Sequence, residues 1–212
     1  EPKSKEDKPQ LDTKNQCEIL NCNPKLIFDT FVVGDGNNFA YSAALAVGQA
    51  PGISFNPLFI YGGTGLGKTH LMQAAAHEAI KSKKKFIVEY LTCEELMNLY
   101  VESIRNRKMI EFRKRFRSSD MLLVDDVQFL TGKKELQEEF FNTFNALYNE
   151  NKQIVLTSDR TPSEIDGLES RLVSRFESGL TTDIQPPSME TRLAILRKKQ
   201  EEQVIKLSDD IL

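Results

Sequence analysis

Eight residues, Gly62-Gly63-Thr64-Gly65-Leu66-Gly67-Lys68-Thr69, carry the densest chemistry in this 212-residue chain. Their spacing fits G-x-x-x-x-G-K-S/T, a loop built to hold phosphate groups. Glycines let successive backbone N–H groups turn inward with no Cβ in the way. A helix behind the loop would add its unpaired N-terminal donors and the positive end of its dipole. Lys68 would reach the β- and γ-phosphates of a nucleotide, and the Thr69 hydroxyl would ligate Mg²⁺. Downstream, Met121-Leu122-Leu123-Val124 is an unbroken apolar run ending in Asp125-Asp126. Such a run reads as a strand buried on both faces of a parallel sheet, and its C-terminal end falls where open α/β sheets bind ligands. Asp125 would hold Mg²⁺ there, and Asp126 would orient or polarise an attacking water. The run Ile154-Val155-Leu156-Thr157-Ser158-Asp159-Arg160 also ends in polar residues. Its place in the sheet should bring Ser158 or Asp159 near the γ-phosphate; the plain alternative is a Ser-Asp-Arg-Thr-Pro turn.

The elements that must position these groups alternate along the chain. An apolar strand over 58–61 leads into the glycine loop, and a helix over 69–80 leads out. Further strands are expected at 86–91, 121–124, 154–156 and Leu180–Ile184. A helix is expected over Asn38–Gln49, and Leu136, Phe140, Phe144 and Leu147 keep helical spacing on another, as core residues. Alternating strands and helices predict an α/β fold, a central parallel five-stranded sheet flanked by helices. Residues 1–25 are polar, hold three prolines and show no period, so a disordered linker is expected, with the nucleotide-binding unit spanning 26–187. Pro186-Pro187 closes that unit. Ser188 can cap a helix running to about Glu202, and Ser208-Asp209-Asp210 marks another helix start. Residues 188–212 therefore read as the truncated beginning of a further helical unit.

A net charge of −3 gives no global attraction to nucleic acid or anionic lipid, so any such binding needs a local patch. Residues 102–119 supply one, with seven Lys/Arg against two Glu. Val101, Ile104, Phe112 and Phe116 are available there as an inward face. Charge runs of this kind usually form a solvated helix surface. Phosphate binding, however, needs such local cations. No apolar stretch approaches membrane-spanning length, and the N-terminus lacks the apolar segment of a signal peptide. Cys17, Cys22 and Cys93, with only His70 and His77 beside them, make neither a disulfide framework nor a zinc site. A reducing cytosol is the expected setting.

Two arginines, Arg171 and Arg175, lie four apart in Leu168-Glu169-Ser170-Arg171-Leu172-Val173-Ser174-Arg175-Phe176. Exposed pairs usually make surface salt bridges of little energetic worth. Their place after Asp159 nevertheless resembles that of the arginine finger in AAA+ ATPases, where Asp159 would be sensor 1. The likeness widens with Phe31-Val32-Val33-Gly34, Asn37, Asn56-Pro57-Leu58-Phe59-Ile60-Tyr61-Gly62-Gly63 and Gly65-Leu66-Gly67-Lys68-Thr69-His70. Asp125-Asp126-Val127-Gln128-Phe129, Gln137-Glu138-Glu139-Phe140-Phe141, Thr157-Ser158-Asp159-Arg160 and Arg171-Leu172-Val173-Ser174-Arg175-Phe176 complete it. Together these resemble the ATPase domain of the DnaA family of bacterial chromosomal replication initiators, from about Leu26 to the chain end.

The resemblance implies that Val32, Val33 and Asn37, with the loop residues 62–70 through His70, hold ATP or ADP. It implies a trans-acting finger at Arg175, with Arg171 at the same interface. ATP-bound protomers of the family stack into a helical filament that melts origin DNA, and slow hydrolysis to ADP resets the switch. An extra helix in the basic stretch lines a path for single-stranded DNA. Val101 and Lys133 fall at family DNA-contact positions, and charge and proximity add Arg105 and Lys134. The family places Glu and then Arg after Gly-Lys, whereas this chain reads Lys134-Glu135-Leu136. Residues 188–212 would begin the family's small α-helical lid, and the chain is expected to stop before the lid's sensor 2 arginine and to lack the C-terminal domain that reads duplex origin DNA. A replicative helicase, its loader and regulatory proteins are the further partners implied, in a bacterial cytoplasm. Two other classes compete: an AAA+ helicase loader or regulatory adaptor, and a small-molecule P-loop kinase whose acceptor would sit in the same protomer.

Overall fold

Apolar strand runs survive in this sequence because helices cover both faces of the sheet they form. The computed structural model of the protein describes residues 18–81 and 85–201. In chain order the elements are β1 (Glu18–Leu20), α1 (Asn38–Gln49), β2 (Leu58–Gly62), α2 (Lys68–Lys81), β3 (Ile87–Thr92), α3 (Cys93–Arg105) and α4 (Met109–Arg117). There follow β4 (Met121–Asp125), α5 (Lys134–Asn149), β5 (Gln153–Ser158), α6 (Ser170–Phe176), β6 (Leu180–Ile184) and α7 (Met189–Glu201). All strand pairs are parallel, in the order β1-β3-β4-β5-β2-β6.

The five expected strands form the sheet, and a sixth extends it. Glu18–Leu20 pairs with Ile87, Val88 and Glu89 at the edge. That strand lies within 1–25 and corrects the linker reading for those residues. Three residues are too few to show an alternation, so only the pairing partner reveals them. Residues 1–17, and the helix start at 208–210, lie outside the described residues.

Alternation along each strand sorts two cores. Leu58, Ile60, Met121, Leu123 and Val155 face α1 and α2, whereas Phe59, Leu122, Val124, Ile154 and Leu156 face the layer of α3 to α6. On the second side Phe176 of α6 meets Phe59, Phe140 and Phe144, with ring centroids 5.9–6.1 Å apart. Fully buried Gln137 of α5 pins the start of α6. Its amide donates to Leu130 O (2.8 Å) and Gly167 O (2.9 Å), and its carbonyl accepts from Glu169 N (2.9 Å).

The basic stretch folds differently from its sequence pattern. Phe112 and Phe116 are buried, but Val101 and Ile104 are 40 % and 49 % exposed, which corrects their assignment to the inward face. Cys93, Leu96, Met97 and Tyr100 make the inward stripe of α3, one position away from Val101. Nor is the positive charge all free. Arg113 forks onto buried Glu139 with contacts of 2.7–3.1 Å, Arg117 joins it at 3.3 Å, and Arg115 pairs with buried Glu89. A carboxylate this deep needs a cation to offset its desolvation. At the other end, the Ser188 hydroxyl accepts Thr191 N (3.3 Å) in the first turn of α7. Among the described residues no helix is long and apolar enough to cross a membrane.

Candidate functional site

The glycine loop joins β2 to α2, and its conformation depends on residues without side chains. Gly65 and Gly67 have φ of +78° and +101°. A Cβ on Gly67 would stand 2.8 Å from the Phe31 ring, and one on Gly62 would stand 2.5 Å from Ile184 O. Lys68 opens α2 and is only 8 % exposed. Its ammonium donates to Gly62 O (2.8 Å) and Gly63 O (2.9 Å), so the cation also braces the loop that precedes it.

Strand order explains how the two carboxylates meet this loop. β5 lies between β2 and β4, so its C-terminal end adjoins both the loop after β2 and the acids at the end of β4. Asp125, 4 % exposed, accepts from the Thr69 hydroxyl (2.6 Å), the Tyr90 phenol (3.2 Å) and the Thr157 hydroxyl. Burial, reinforced by the Asp125 charge, pushes the Tyr90 phenol well above its usual range, so it stays a donor at neutral pH. Asp126 occupies the left-handed region (φ 60°, ψ 51°), with its N–H donating to Thr157 Oγ1 (3.0 Å) and its carboxylate accepting from Gln128 Nε2 (3.2 Å).

Thr157 thus serves both acids at once, a role the sequence reading did not give it. Its signal was a polar residue closing an apolar run, but its partners are set by strand order, which sequence does not display. If Asp125 holds Mg²⁺ as the sequence predicts, Thr157→Val, nearly isosteric, is expected to weaken the divalent-cation dependence of nucleotide binding by about tenfold, the worth of one hydrogen bond to a charged group. Affinity without the cation should hold. A Mg²⁺ titration of nucleotide binding beside a thermal melt checks this; an unchanged titration at an unchanged midpoint contradicts it.

One cleft is lined by Thr64, Gly65, Gly67, Lys68, Thr69 and His70 of the loop and α2, with Asp126, Gln128, Phe129 and Asp159. Of the two candidates at the end of β5, Ser158 is fully buried whereas Asp159, just beyond the strand, reaches the cleft. Hydrogen bonds from Arg160 (2.9 and 2.7 Å) hold the Asp159 carboxyl below the usual carboxylate range. It is therefore an anion at neutral pH.

The adjoining cleft is lined by Val32, Asn37, Gly65, Leu66, Gly67 and His70, together with Leu26, Phe31 and Ile195, Lys198 and Lys199 of α7. Asn37 shapes that wall: its carboxamide accepts Gly34 N (2.9 Å) and donates to Val32 O (3.1 Å). His70 donates to Ile27 O (2.8 Å) and meets Phe31 edge-on at 5.1 Å. Val33 is 43 % exposed and lines neither cleft.

The remaining candidates lie apart. Arg171 and Arg175 line neither cleft; both stand over the Phe141 ring, 4.7 and 6.0 Å from its centroid. Val101 and Arg105 on α3, with Lys133 and Lys134 at the start of α5, are all exposed. The turn Val127–Leu130, which α3 packs against, lies between these two groups in the chain.

Against this geometry stand the known proteins. A family model described as the bacterial DnaA ATPase domain matches residues 22–183. Domain III of the Thermotoga maritima replication initiation protein DnaA is 47 % identical with a TM-score of 0.88, over 91 % of this chain and 80 % of that one. A structure of the replication initiator DnaA bound to AMPPCP and single-stranded DNA is 42 % identical (TM-score 0.83), with 90 % of this chain and 59 % of that chain covered. AMPPCP-bound DnaA from Aquifex aeolicus gives the same 42 % identity, TM-score of 0.83 and coverage of 90 % and 59 %. This chain therefore spans only 59 % of the length of those two longer relatives.

Proposed function

Because this chain belongs to the bacterial DnaA ATPase-domain family, we propose that it is the ATP-switched module of a replication initiator, assembling in its ATP form and gripping single-stranded DNA to open an origin. The observation that carries this reading is the convergence of Lys68, Thr69, Asp126 and Asp159 on one cleft while Arg175 stands outside it. The reading makes the nucleotide site complete only when a second protomer supplies its guanidinium.

Within the cleft the loop N–H groups and Lys68 neutralise the β- and γ-phosphates. Asp126 orients the attacking water and takes its proton as the bond from the γ-phosphorus to the bridging oxygen breaks, leaving ADP and phosphate. Asp159, ionised, accepts from the same water or its shell, and Arg175 of a neighbour spreads charge away from the transferring group. The hydroxyl of Thr69 and the carboxylate of Asp125, already 2.6 Å apart, form the hard-oxygen pair that suits Mg²⁺. When bound, the ion supplies charge neutralisation at the phosphates. Val32 and Asn37 shape the wall for the base. Turnover is slow, and its role is to reset the assembly.

Single-stranded DNA runs over Val101 and Arg105 and past Lys133 and Lys134, where apolar and cationic groups are exposed together. Origin duplex recognition and contacts with a helicase, its loader or regulators fall to the whole protein, in the bacterial cytoplasm. Membership in this family places the adaptor and small-molecule kinase readings behind this one. Fluorescence anisotropy of a labelled short single-stranded oligonucleotide tests the proposal on the full-length protein with ATP and then ADP. Binding that is tight, ATP-dependent and cooperative in protein is expected. No binding in either state, with ATP occupancy confirmed, would move the assignment to an adaptor.

A further inference from the structure

Helix α6 carries its two arginines above a single aromatic ring. Arg171 Cζ stands 4.7 Å and Arg175 Cζ 6.0 Å from the centroid of half-buried Phe141. Arg171 is fixed at a second point, by a 2.6 Å ion pair with Glu169. Arg175 has no carboxylate within ion-pair distance among the described residues, and the Phe141 ring face stands beside its guanidinium at the outer reach of a cation–π contact. Four residues before Phe141 on the same helix, Gln137 fixes the backbone at Glu169, where α6 begins. One helix face therefore sets both the position of α6 and the direction of its cations.

From this we infer that Phe141 is a positioning residue for Arg175, aiming its guanidinium outward for a neighbouring protomer. The inference rests on the trans role of Arg175 proposed above. A guanidinium on a long flexible stem loses rotamer entropy when it docks on a partner's phosphate. A ring that already restricts it, by cation–π attraction and by covering the aliphatic stem, lowers that loss before assembly begins. Arg171, nearer the ring and tied to Glu169, shares that ring with Arg175. Phe141 lines neither cleft, so its removal should act on assembly and leave the isolated nucleotide site alone.

The test uses the full-length protein and four forms of it: wild type, Phe141→Leu, Phe141→Tyr and Arg175→Ala. Sedimentation velocity with ATP gives the protein concentration at half-assembly, and nucleotide titration at high dilution gives the affinity of the monomer. Phe141→Leu is expected to raise the half-assembly concentration about three- to tenfold, the scale of one or two cation–π contacts at a partly exposed site. Monomer affinity and thermal midpoint should stay at wild-type values, and Phe141→Tyr, which keeps the ring, should assemble like wild type. If Arg175→Ala fails to assemble while Phe141→Leu matches wild type, the positioning role falls and the trans arginine stands. A Phe141→Tyr form as impaired as the leucine form would also overturn it. Should Phe141→Leu melt early, Phe141→Met supplies the same loss of the ring, and wild-type assembly of a stable methionine form overturns the inference. Normal assembly of Arg175→Ala would bring down both readings together.

Discussion

Lys68→Ala is expected to lower ATP affinity by at least about a hundredfold, because charge-assisted hydrogen bonds to two phosphates contribute about 1.5–3 kcal/mol each. The geometry adds a second loss. The Lys68 ammonium donates to the carbonyls of Gly62 and Gly63, so alanine removes a brace from the loop as well as a cation from the ligand. Calorimetric titration with ATP measures the first effect, and a melt without nucleotide measures the second. Wild-type affinity in the variant would contradict the assignment of this loop to the phosphates.

Arg175→Ala separates assembly from binding. The side chain lines neither cleft and rests against Phe141, so monomer ATP affinity should stay within about twofold of wild type, less than half a kcal/mol. ATP-dependent assembly should be lost. The part of hydrolysis that rises with protein concentration should fall by about a thousandfold, the lower range for a guanidinium supplied in trans. Sedimentation with and without ATP, beside a nucleotide titration at high dilution, checks both arms. A loss of affinity in the isolated monomer would mean that the arginine acts within its own chain.

Much of the frame was legible because burial on both faces writes itself into sequence as apolar runs. Leu58–Gly62, Met121–Asp125 and Gln153–Ser158 contain such runs, and the glycine loop follows the first of them. The stripe of Leu136, Phe140, Phe144 and Leu147 marked α5 for the same reason, since all four pack into one core. What stayed hidden depends on neighbours distant in the chain. Strand Glu18–Leu20 exists through its pairing with β3. The basic stretch looked like a free patch because Glu89 and Glu139, which engage Arg113, Arg115 and Arg117, are over twenty residues away in sequence. Thr157, Gln137 and Phe141 fall within stretches that carry the family resemblance, but what each side chain touches is set by the element that lies opposite.

The left-handed backbone at Asp126 (φ 60°, ψ 51°) sets folding stability against the role proposed for its carboxylate. An L-residue held there loses about 1–2 kcal/mol relative to an ordinary conformation, and glycine escapes that loss. A chain selected only to resist heat would drift toward glycine at this position and discard the carboxylate proposed to orient the water. On that proposal, selection for thermal resistance alone would erode hydrolysis before it touched the fold.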